Sequence, residues 1–493
     1  MKVFVYTLIY NIRNREAYAH CTDLIFSMEL EKVHVVLFPY MSKGHMIPML
    51  QLARLLLSHS FTRDISVTVF TTPLNRPFVA DSLSGTKATI ISIPFPKNVP
   101  EIPPGVECTD KLPAISSLYV PFTRATKSMQ PDFERELASL PRVSFMVSDG
   151  FLWWTLESAR KLGFPRLVFL GMNCMSPSLL DSVFKNQLLS KVKSETEAVA
   201  VPEFPWIKVR KCDFVEDMFD TKPTTDPGFK LILDQCASMS QSQGIIFNTF
   251  DELEPVFIDF YKRTRELKPW ALGPLCLGKN CLEHVEEEKV KSVWMKWLDE
   301  KRDKGCNVLY VAFGSQAEIS REQTEEIALG LEESKVNFLW VVKGNEIEKG
   351  FEERVGERGM VVRDEWVDQR KILEHDSVRG FLSHCGWNSL MESICAEVPV
   401  LAFPVSAEQP LNAMLVVEEL RVAERVVAAS DGIVRRGEVA GKAKELMEGA
   451  KGKELRRNVE AYGKMGKKAL EEGVGSSWKN LDSLINEYCN NGT

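Results

Sequence analysis

Residues 366–409 read WVDQRKILEHDSVRGFLSHCGWNSLMESICAEVPVLAFPVSAEQ, and this order predicts a strand, a turn and a helix. The apolar segment 380–383 is typical of a short buried strand, and residues 390–396 have helical spacing that ends before Pro399. Between them, Asn388 or Ser389 is expected near the N-cap of the helix. A helix that follows directly on a strand is the unit from which parallel α/β sheets are built.

The residues around this turn suit the parts of a nucleotide that carries phosphate. The unpaired N–H groups of a helix N-terminus attract a phosphate, to which His384 could also donate. Glu392 lies three residues after Ser389 on the same helical face, where its carboxylate could accept hydrogen bonds from ribose hydroxyls. Trp366 offers a flat ring for a base. A simpler interpretation stays open, because Ser389 and Glu392 also have the spacing of a capping box, and Trp366 and Trp387 also suit a protein core.

Taken together, residues 366–409 resemble the signature box of the plant secondary-product glycosyltransferases, the family 1 enzymes that use UDP-sugars. The match covers the whole box in length and in its key positions. The resemblance implies uracil stacking by Trp366 with Val367 and Gln369 nearby, diphosphate binding by His384, Asn388 and Ser389, ribose binding by Glu392, and sugar contacts by Trp387, Glu408 and Gln409. In this family a final Gln usually accompanies UDP-glucose. Ser406 departs from the many members that carry an aromatic residue two positions before the acidic one.

The whole chain predicts two α/β halves. Apolar strands alternate with helices from Val33–Phe38 to 244–247 and again from 308–313 to 400–402, which indicates parallel sheets flanked by helices. The charged stretch 283–291 is typical of an exposed linker. The resemblance adds the GT-B architecture, in which two facing Rossmann-like domains with parallel sheets enclose a cleft for the ligands.

The predicted boundaries follow from these patterns, and the resemblance implies the role of each domain and the course of the last helix. An acceptor-binding N-terminal domain is expected over 33–268, a linker region over 269–293, a UDP-sugar-binding C-terminal domain over 294–475, and a helix over 476–493 that crosses back to the first domain. Residues 1–32 are expected to form a disordered extension. Family members usually begin near Met28, so residues 1–27 are expected to be dispensable.

Two polar residues that follow apolar strands of the first half are candidates for catalysis. His45 ends the loop 39–45, before a helix predicted from about Pro48 to Leu57, and Asp149 follows the strand 145–147. Open α/β sheets bind ligands at the carboxyl ends of their strands, where a His can act as a general base and a carboxylate can hold its tautomer. An ordinary loop His and a capping Asp are the alternative. The similarity of 38–50 and 145–169 to the family favours the catalytic interpretation.

Two further positions leave their alternatives open. Phe313-Gly314-Ser315-Gln316 follows the first strand of the second half, and the family places a donor contact at Ser315, although a tight turn explains the small residues equally well. Family members often carry Thr or Ser 22 residues after the catalytic Asp, where this chain has Gly171. Either Asn173 or a water compensates there, or the sugar contact is missing.

The composition excludes several classes of partner. A net charge of −7 argues against nucleic acid and anionic membranes, and no apolar run reaches the roughly 18 residues that a membrane span needs. The 11 cysteines are scattered without a CxxC or a Cys/His metal spacing, which favours reduced thiols and a cytoplasmic location. Cys385 is more typical of a small buried residue than of a nucleophile. We expect a monomer with no metal and no resident cofactor, because the UDP-sugar is a co-substrate.

The predicted function is the inverting, metal-independent transfer of a sugar, most simply glucose, from a UDP-sugar to a hydroxyl of a small apolar plant metabolite such as a flavonoid, phenol or terpenoid. Phe151, Trp153, Trp154 and Trp206 are candidates for the acceptor wall. A nicotinamide dehydrogenase would carry G-x-G-x-x-G at the first turn, and residues 39–45 lack it. A catalytically silent UDP-sugar-binding protein, or the use of another UDP-sugar, is the remaining alternative.

Overall fold

The computed structural model describes residues 32–59, 64–190, 192–214, 226–278, 292–344 and 347–490. Its strands are β1 (Lys32–Phe38), β2 (Asp64–Thr71), β3 (Thr89–Ser92), β4 (Phe145–Asp149), β5 (Arg166–Leu170), β6 (Val199–Val201), β7 (Phe204–Val209), β8 (Gly244–Phe247), β9 (Lys268–Ala271), β10 (Val308–Ala312), β11 (Asn337–Val342), β12 (Gly359–Arg363), β13 (Val378–Ser383), β14 (Val400–Ala402) and β15 (Ala423–Arg425).

Helices cover the faces of these sheets and connect their strands. They are α1 (Lys43–Ser58), α2 (Arg76–Ser82), α3 (Ile115–Ala125), α4 (Gln130–Ala138), α5 (Thr155–Leu162), α6 (Met175–Lys185), α7 (Pro227–Ser240), α8 (Pro255–Thr264), α9 (Val293–Asp303), α10 (Arg321–Ser334), α11 (Phe351–Val355), α12 (Gln369–Leu373), α13 (Trp387–Cys395), α14 (Gln409–Met414), α15 (Arg436–Glu448), α16 (Ala450–Ala469) and α17 (Ser476–Asn490). A π-helical turn, Leu415–Glu419, extends α14.

The first sheet is parallel and has the strand order β3-β2-β1-β4-β5-β8-β9. Strand β1 is central, since Val35 pairs with Val67 of β2 on one side and with Phe145 of β4 on the other. The chain therefore reverses its direction across the sheet between β1 and β4. Loops that leave β1 and β4 diverge at this switch point and open a crevice beyond the carboxyl ends of the strands.

The second sheet repeats this plan with the order β12-β11-β10-β13-β14-β15. Tyr310 of the central strand β10 pairs with Leu339 of β11 and Phe381 of β13, so the switch point lies between β10 and β13. Strands β4 and β10 are buried along their whole length, as expected for parallel strands covered by helices on both faces. The predicted α/β fold with two parallel sheets in the GT-B arrangement is confirmed.

Helix α17 packs on the first sheet although it follows the second half in the chain. Leu481, Leu484 and Ile485 belong to the same apolar cluster as residues of β1 and α1, and Asn480 donates to the carbonyl of Ala271 at 3.0 Å. Trp270 is buried beside this helix.

Two sequence-based boundaries shift in the structure. Because β9 is the edge strand of the first sheet, residues 269–271 belong to that sheet and not to the predicted linker region. Helix α1 begins at Lys43, about a turn before the predicted start near Pro48, so His45 lies in its first turn and not in a loop. Residues 1–31, 279–291 and 491–493 lie outside the described ranges, and the predictions for them are untested. In the part of the chain that the structure describes, no helix is long and apolar enough to cross a membrane.

Candidate active site

The switch point of the first sheet brings His45 and Asp149 together. Nδ1 of His45, in the first turn of α1, lies 2.8 Å from Oδ2 of Asp149, the last residue of β4. The other carboxylate oxygen accepts the backbone N–H of Phe151 at 2.9 Å. An ionised carboxylate can only accept hydrogen bonds, so opposite it Nδ1 carries the proton and Nε2 is the basic nitrogen. The pair has the geometry that a general base and its orienting carboxylate require.

Charge around His45 adjusts its acidity. Burial lowers the pKa of His45, but the carboxylate charges of Asp149, Glu408 and Asp110 outweigh it and the net pKa is raised above the ordinary value of 6.5. The His45 side chain is 30% exposed and that of Asp149 only 2%. A buried carboxylate therefore supports a base that a ligand can reach.

Aromatic rings surround the exposed side of His45. The ring of Phe151 lies 4.8 Å from the imidazole and that of Tyr40 lies 5.3 Å from it, while Tyr119 packs edge-on against Phe151 at 5.8 Å. Phe151 thus stands where the sequence placed an acceptor wall.

Two of the other three aromatic candidates for this wall lie elsewhere, and Trp153 packs on the same apolar core as Phe151. Trp154 is buried in the core against Phe38 and Phe133, and Trp153 is partly buried against the same core. Trp206 is exposed and donates to Glu419 of the second half.

Three predicted donor residues lie together beside the second sheet. Nε2 of Gln369 donates to Ser389 Oγ at 2.9 Å and to Glu392 at 2.8 Å, and Tyr310 donates to the Gln369 oxygen at 3.3 Å. Ser389 and Glu392 are thus joined through Gln369 and not as a capping box. Trp366 is 62% exposed at the edge of this group, and neighbouring Val367 is buried.

The N-terminus of α13 differs from the expected one. Gly386 is the N-cap, so Asn388 and Ser389 lie inside the first turn. Neither side chain therefore caps the N-terminus of α13.

Burial raises the pKa of Glu392 to about 7, although the hydrogen bond from Gln369 opposes the shift. A buried acid with such a pKa is a common mark of a ligand site.

His384 lies between two glycines at the second switch point. A Cβ built on Gly314, whose φ is +76°, would stand 2.7 Å from His384 Nε2, and one on Gly386 would stand closer still. Only glycine leaves the imidazole this space. Burial lowers the pKa of His384 to about 4, so the ring is neutral at physiological pH.

The side chains of Trp387 and Asn388 contact the first half of the chain. The indole N–H of Trp387 donates to the carbonyl of Asn248 at 2.8 Å. Asn388 donates to the carbonyl of Gly44 at 2.6 Å and accepts from the amide of Asn248 at 3.3 Å. The predicted donor contacts of these two residues would have to come from their backbone N–H groups or from a rearranged side chain.

The hydroxyl of Ser315 also reaches across the cleft, to the carboxylate of Asp110. Gln316 donates to Ser42 at 2.8 Å and to Thr109 at 2.6 Å, both in the first half. Gly314 forms the tight turn that was one of the two open interpretations. In this conformation Ser315 joins the two halves.

The predicted sugar-binding residues begin α14. Glu408 accepts a hydrogen bond from Asn412 at 3.3 Å. The side-chain oxygen of Gln409 accepts the backbone N–H groups of Val405 and Ser406, each at 2.9 Å. Gln409 therefore presents its amide nitrogen and Glu408 its carboxylate. The irregular Ser406 takes part here only through its backbone.

Several site residues escaped the sequence analysis because their partners lie in the other half. Asp110, Gln316, Asn248 and Asn412 all make contacts between the halves. Asn248 follows β8 directly, and the rule for strand ends could have found it. Asn412 lies one helical turn after Glu408, which is a signal of contact along a helix. In the described ranges, no group of three or more His, Cys, Asp or Glu could hold a metal ion.

Comparisons with known proteins agree with this geometry. Residues 288–435 match the family model for UDP-glucoronosyl and UDP-glucosyl transferases. The chain is 85% identical over 467 residues to UDP-glycosyltransferase 90A2 of Arabidopsis thaliana, which covers 94% of this chain and 100% of that protein. It is 55% identical over 468 residues to UDP-glycosyltransferase 90A1 of the same plant, with 92% and 96% covered.

Solved structures show the same architecture. UGT2 of Phytolacca americana, complexed with UDP-2fluoro-glucose and pterostilbene, superposes with a TM-score of 0.76 at 29% identity, over 92% of this chain and 99% of that one. UGT73P12 of Glycyrrhiza uralensis, complexed with glycyrrhetinic acid 3-O-monoglucuronide, superposes with a TM-score of 0.81 at 29% identity, over 92% and 95%.

Proposed function

The chain belongs to the plant family 1 UDP-glycosyltransferases, and from this membership we propose that it transfers glucose from UDP-glucose, with inversion and without a metal, to a hydroxyl of a small apolar metabolite. The observation that carries the proposal is the pair of His45 and Asp149, 2.8 Å apart at the switch point of the first sheet. Asn388 brings the N-terminus of α13 to Gly44, the residue before His45. The base and the donor site therefore meet in one cleft.

The reaction moves one proton and exchanges one bond. His45 Nε2 takes the proton of the acceptor hydroxyl, and the acceptor oxygen bonds to the anomeric carbon. The bond from that carbon to the diphosphate breaks on the opposite face, which inverts the configuration, and UDP leaves with the electron pair. Asp149 stabilises the imidazolium that forms. The free N–H groups of the first turn of α13 and the neutral His384 stabilise the developing charge on the diphosphate.

The donor assignment rests on the arrangement of the proposed binding residues. Trp366 would stack on uracil beside Val367 and Gln369, while Ser389 would face the diphosphate and Glu392 the ribose. Glu408 and Gln409 offer an acceptor and a donor for sugar hydroxyls. Glucose is proposed because the family's final Gln usually accompanies UDP-glucose. Ser315 would bind the donor after its hydroxyl breaks the hydrogen bond to the Asp110 carboxylate and donates to the ligand instead.

The acceptor assignment rests on the rings beside His45. Phe151 and Tyr119 form an aromatic wall next to the base, which favours a flat phenol or flavonoid over a compact polar acceptor. The relatives' ligands, pterostilbene and glycyrrhetinic acid 3-O-monoglucuronide, suggest that a terpenoid should be tested as well.

The decisive experiment incubates the purified protein with UDP-glucose and a panel of phenols, flavonoids and terpenoids, and follows UDP release and the mass of the glucoside. We expect turnover that EDTA does not reduce and a β-linked product by the NMR coupling of the anomeric proton. His45→Ala should abolish turnover and keep UDP binding, whereas Lys87→Gln on the exposed surface should change neither. UDP-glucose binding without turnover on any acceptor would favour the silent binding protein, and faster turnover with UDP-galactose or UDP-xylose would overturn the choice of glucose.

The domain assignment is also proposed. The half that contains the first sheet would bind the acceptor, the half with the second sheet would bind the donor, and residues 1–27 would be dispensable. We also propose a monomer, and a cytoplasmic location because the cysteines of the described ranges are all free thiols. Deletion of residues 1–27 should leave kcat and the thermal midpoint unchanged, and light scattering should give the mass of one chain.

A further inference from the structure

We propose that Asn412 positions the carboxylate of Glu408 for the sugar, and that Asn173 of the first half fixes the direction in which the Asn412 amide points. The inference rests on the proposed sugar contact of Glu408. It concerns positioning residues, since neither amide needs to touch the donor. Asn173 and Asn412 are both fully buried.

Backbone groups assign both amides without ambiguity. The N–H of Ser176 can only donate, and it lies 2.7 Å from Oδ1 of Asn173, so Nδ2 of Asn173 faces Asn412. The carbonyl of Cys385 can only accept, and it lies 3.0 Å from Nδ2 of Asn412. Oδ1 of Asn412 therefore accepts from Asn173 at 2.5 Å and from the Ser176 hydroxyl at 3.2 Å.

The remaining proton of the Asn412 amide points at the sugar site. Nδ2 of Asn412 donates to Oε1 of Glu408 at 3.3 Å, one helical turn earlier in α14. Its other hydrogen bond holds Cys385, a residue other than glycine at φ +65°, in the turn before α13. One side chain thus links the carboxylate that would meet the sugar to the turn before α13.

Asn173 can act as a fixed reference because its own loop is anchored. The buried carboxylate of Glu254 accepts the backbone N–H groups of Cys174 and Met175 at 3.1 and 2.9 Å. This arrangement also answers the question that Gly171 raised. A Cβ there would stand 3.2 Å from the ring of Phe169 and 3.3 Å from Pro48, so the loop has little room for a larger side chain, and Asn173 acts on the donor side through Asn412.

Asn173→Asp tests the relay with an isosteric change. A carboxylate at 173 cannot donate to Oδ1 of Asn412, and it attracts the Asn412 amide nitrogen instead. The turned amide would then present its oxygen to Glu408, which would move away, while the Cys385 N–H keeps its hydrogen bond to Ser383 Oγ at 3.2 Å and holds the turn before α13. We expect kcat/KM for UDP-glucose to fall by about 10- to 100-fold, because small displacements of a contact residue cost that much.

A relay that acts only on the sugar site predicts a pattern of kinetic effects that a general structural disturbance would not give. UDP lacks the sugar, so its inhibition constant should change by less than about threefold, and the preference for UDP-glucose over UDP-galactose should narrow. Asn307→Asp, a matched change at an exposed residue just before β10, should behave as the wild type. If Asn173→Asp does not fold, Asn173→Ala, which removes the donor to Asn412 together with the acceptor of the Ser176 N–H, should show the same pattern at smaller size.

Two results would overturn the inference, and a third variant separates it from the proposed function. Unchanged kcat/KM in a folded Asn173 variant, or a parallel loss of UDP affinity and turnover, would exclude the relay. Glu408→Ala should lower kcat/KM for UDP-glucose by itself. If Glu408→Ala has no effect, the proposed sugar contact is wrong; if it lowers kcat/KM and the Asn173 variants do not, only the relay is wrong.

Discussion

At the scale of single residues, carboxylates of both halves, among them Asp149 and Glu408, set the pKa of His45. Burial alone would lower the pKa of His45, and the charge of Asp149 raises it above 6.5. A general base must be neutral, so turnover is present above that pKa and is lost as the pH falls through it. In the proposed reaction, Asp149 thus stabilises the imidazolium form of His45, and the same interaction moves the pH range of turnover upward.

We therefore expect the acid limb of kcat/KM to lie above pH 6.5. Asp149→Asn removes the charge that raises the pKa of His45, so the limb should move to lower pH. The same change reverses the preferred tautomer and should lower kcat by about 10³- to 10⁴-fold. Calorimetry with UDP checks that the donor site is intact. A limb that stays in place in Asp149→Asn would contradict the role of this carboxylate.

Glu392 gives a second pH dependence, which belongs to donor binding. Its pKa is raised to about 7, so the carboxylate that would accept ribose hydroxyls becomes protonated as the pH falls below that value. UDP should therefore bind more weakly at pH 6 than at pH 8, by about tenfold for one lost charged hydrogen-bond acceptor. The dissociation constant is measured in the His45→Ala background, where the base no longer titrates.

The control for this titration is Glu392→Gln, which should bind UDP weakly at every pH. A dissociation constant of the parent that is flat across the same range, or a variant that keeps the pH dependence, would assign the effect to another group.

These residues also show how far sequence reasoning reaches. The spacing of Ser389 and Glu392 placed them on one helical face, and Gln369, which hydrogen-bonds to both in the structure, was expected near the donor only from the family resemblance. Trp387 and Asn388 were assigned to the ligand, yet both side chains bond to the first half, more than 130 positions earlier in the chain. Spacing along one helix cannot reveal a partner that arrives from another domain.

At the scale of elements, Pro48 explains how α1 can accept a bond from α13. Proline has no N–H, so the carbonyl of Gly44, four residues earlier in α1, lacks its usual helical partner. Asn388 of α13 donates to that carbonyl at 2.6 Å. The sequence suggested that Pro48 marks the start of the helix; it is instead an interior residue that leaves an acceptor beside His45.

Pro48→Ala would supply an N–H that competes with Asn388 for Gly44. We expect kcat at saturating donor to fall by about tenfold, because α13 loses its hold on the turn that carries His45. Asn388→Ala should have a similar effect alone and little further effect in the Pro48→Ala background. The double-mutant cycle should give a coupling of about 0.5–3 kcal/mol. Additive effects in folded variants would show that Asn388 acts on the donor alone.

At the scale of the whole molecule, the two halves are joined at both ends of the cleft. Near the first switch point, the carboxylate of Asp110 accepts the backbone N–H of Lys43 at 2.8 Å and the side-chain amide of Gln316, in the second half, at 3.3 Å. On the far side, α17 returns from the second half to cover the first sheet. The residues of these joints are scattered over the chain, and only the returning helix was predicted, from the family resemblance.

The α17 joint makes a prediction about stability. Leu484 is 1% exposed within the first core, and Leu484→Ala should lower the free energy of unfolding by about 2–5 kcal/mol. Val474, which precedes α17 and is 55% exposed, provides the matched control, and Val474→Ala should cost no more than about 0.5 kcal/mol.

Scanning calorimetry should show the lower stability of Leu484→Ala in the unfolding transition of the first domain. UDP bound by the second domain should still raise the other transition, since a ligand stabilises only the unit that binds it. If both variants unfold alike, the packing of Leu484 contributes little and the first sheet must be held by other contacts. If Leu484→Ala lowers the UDP-sensitive transition, α17 stabilises the second domain instead.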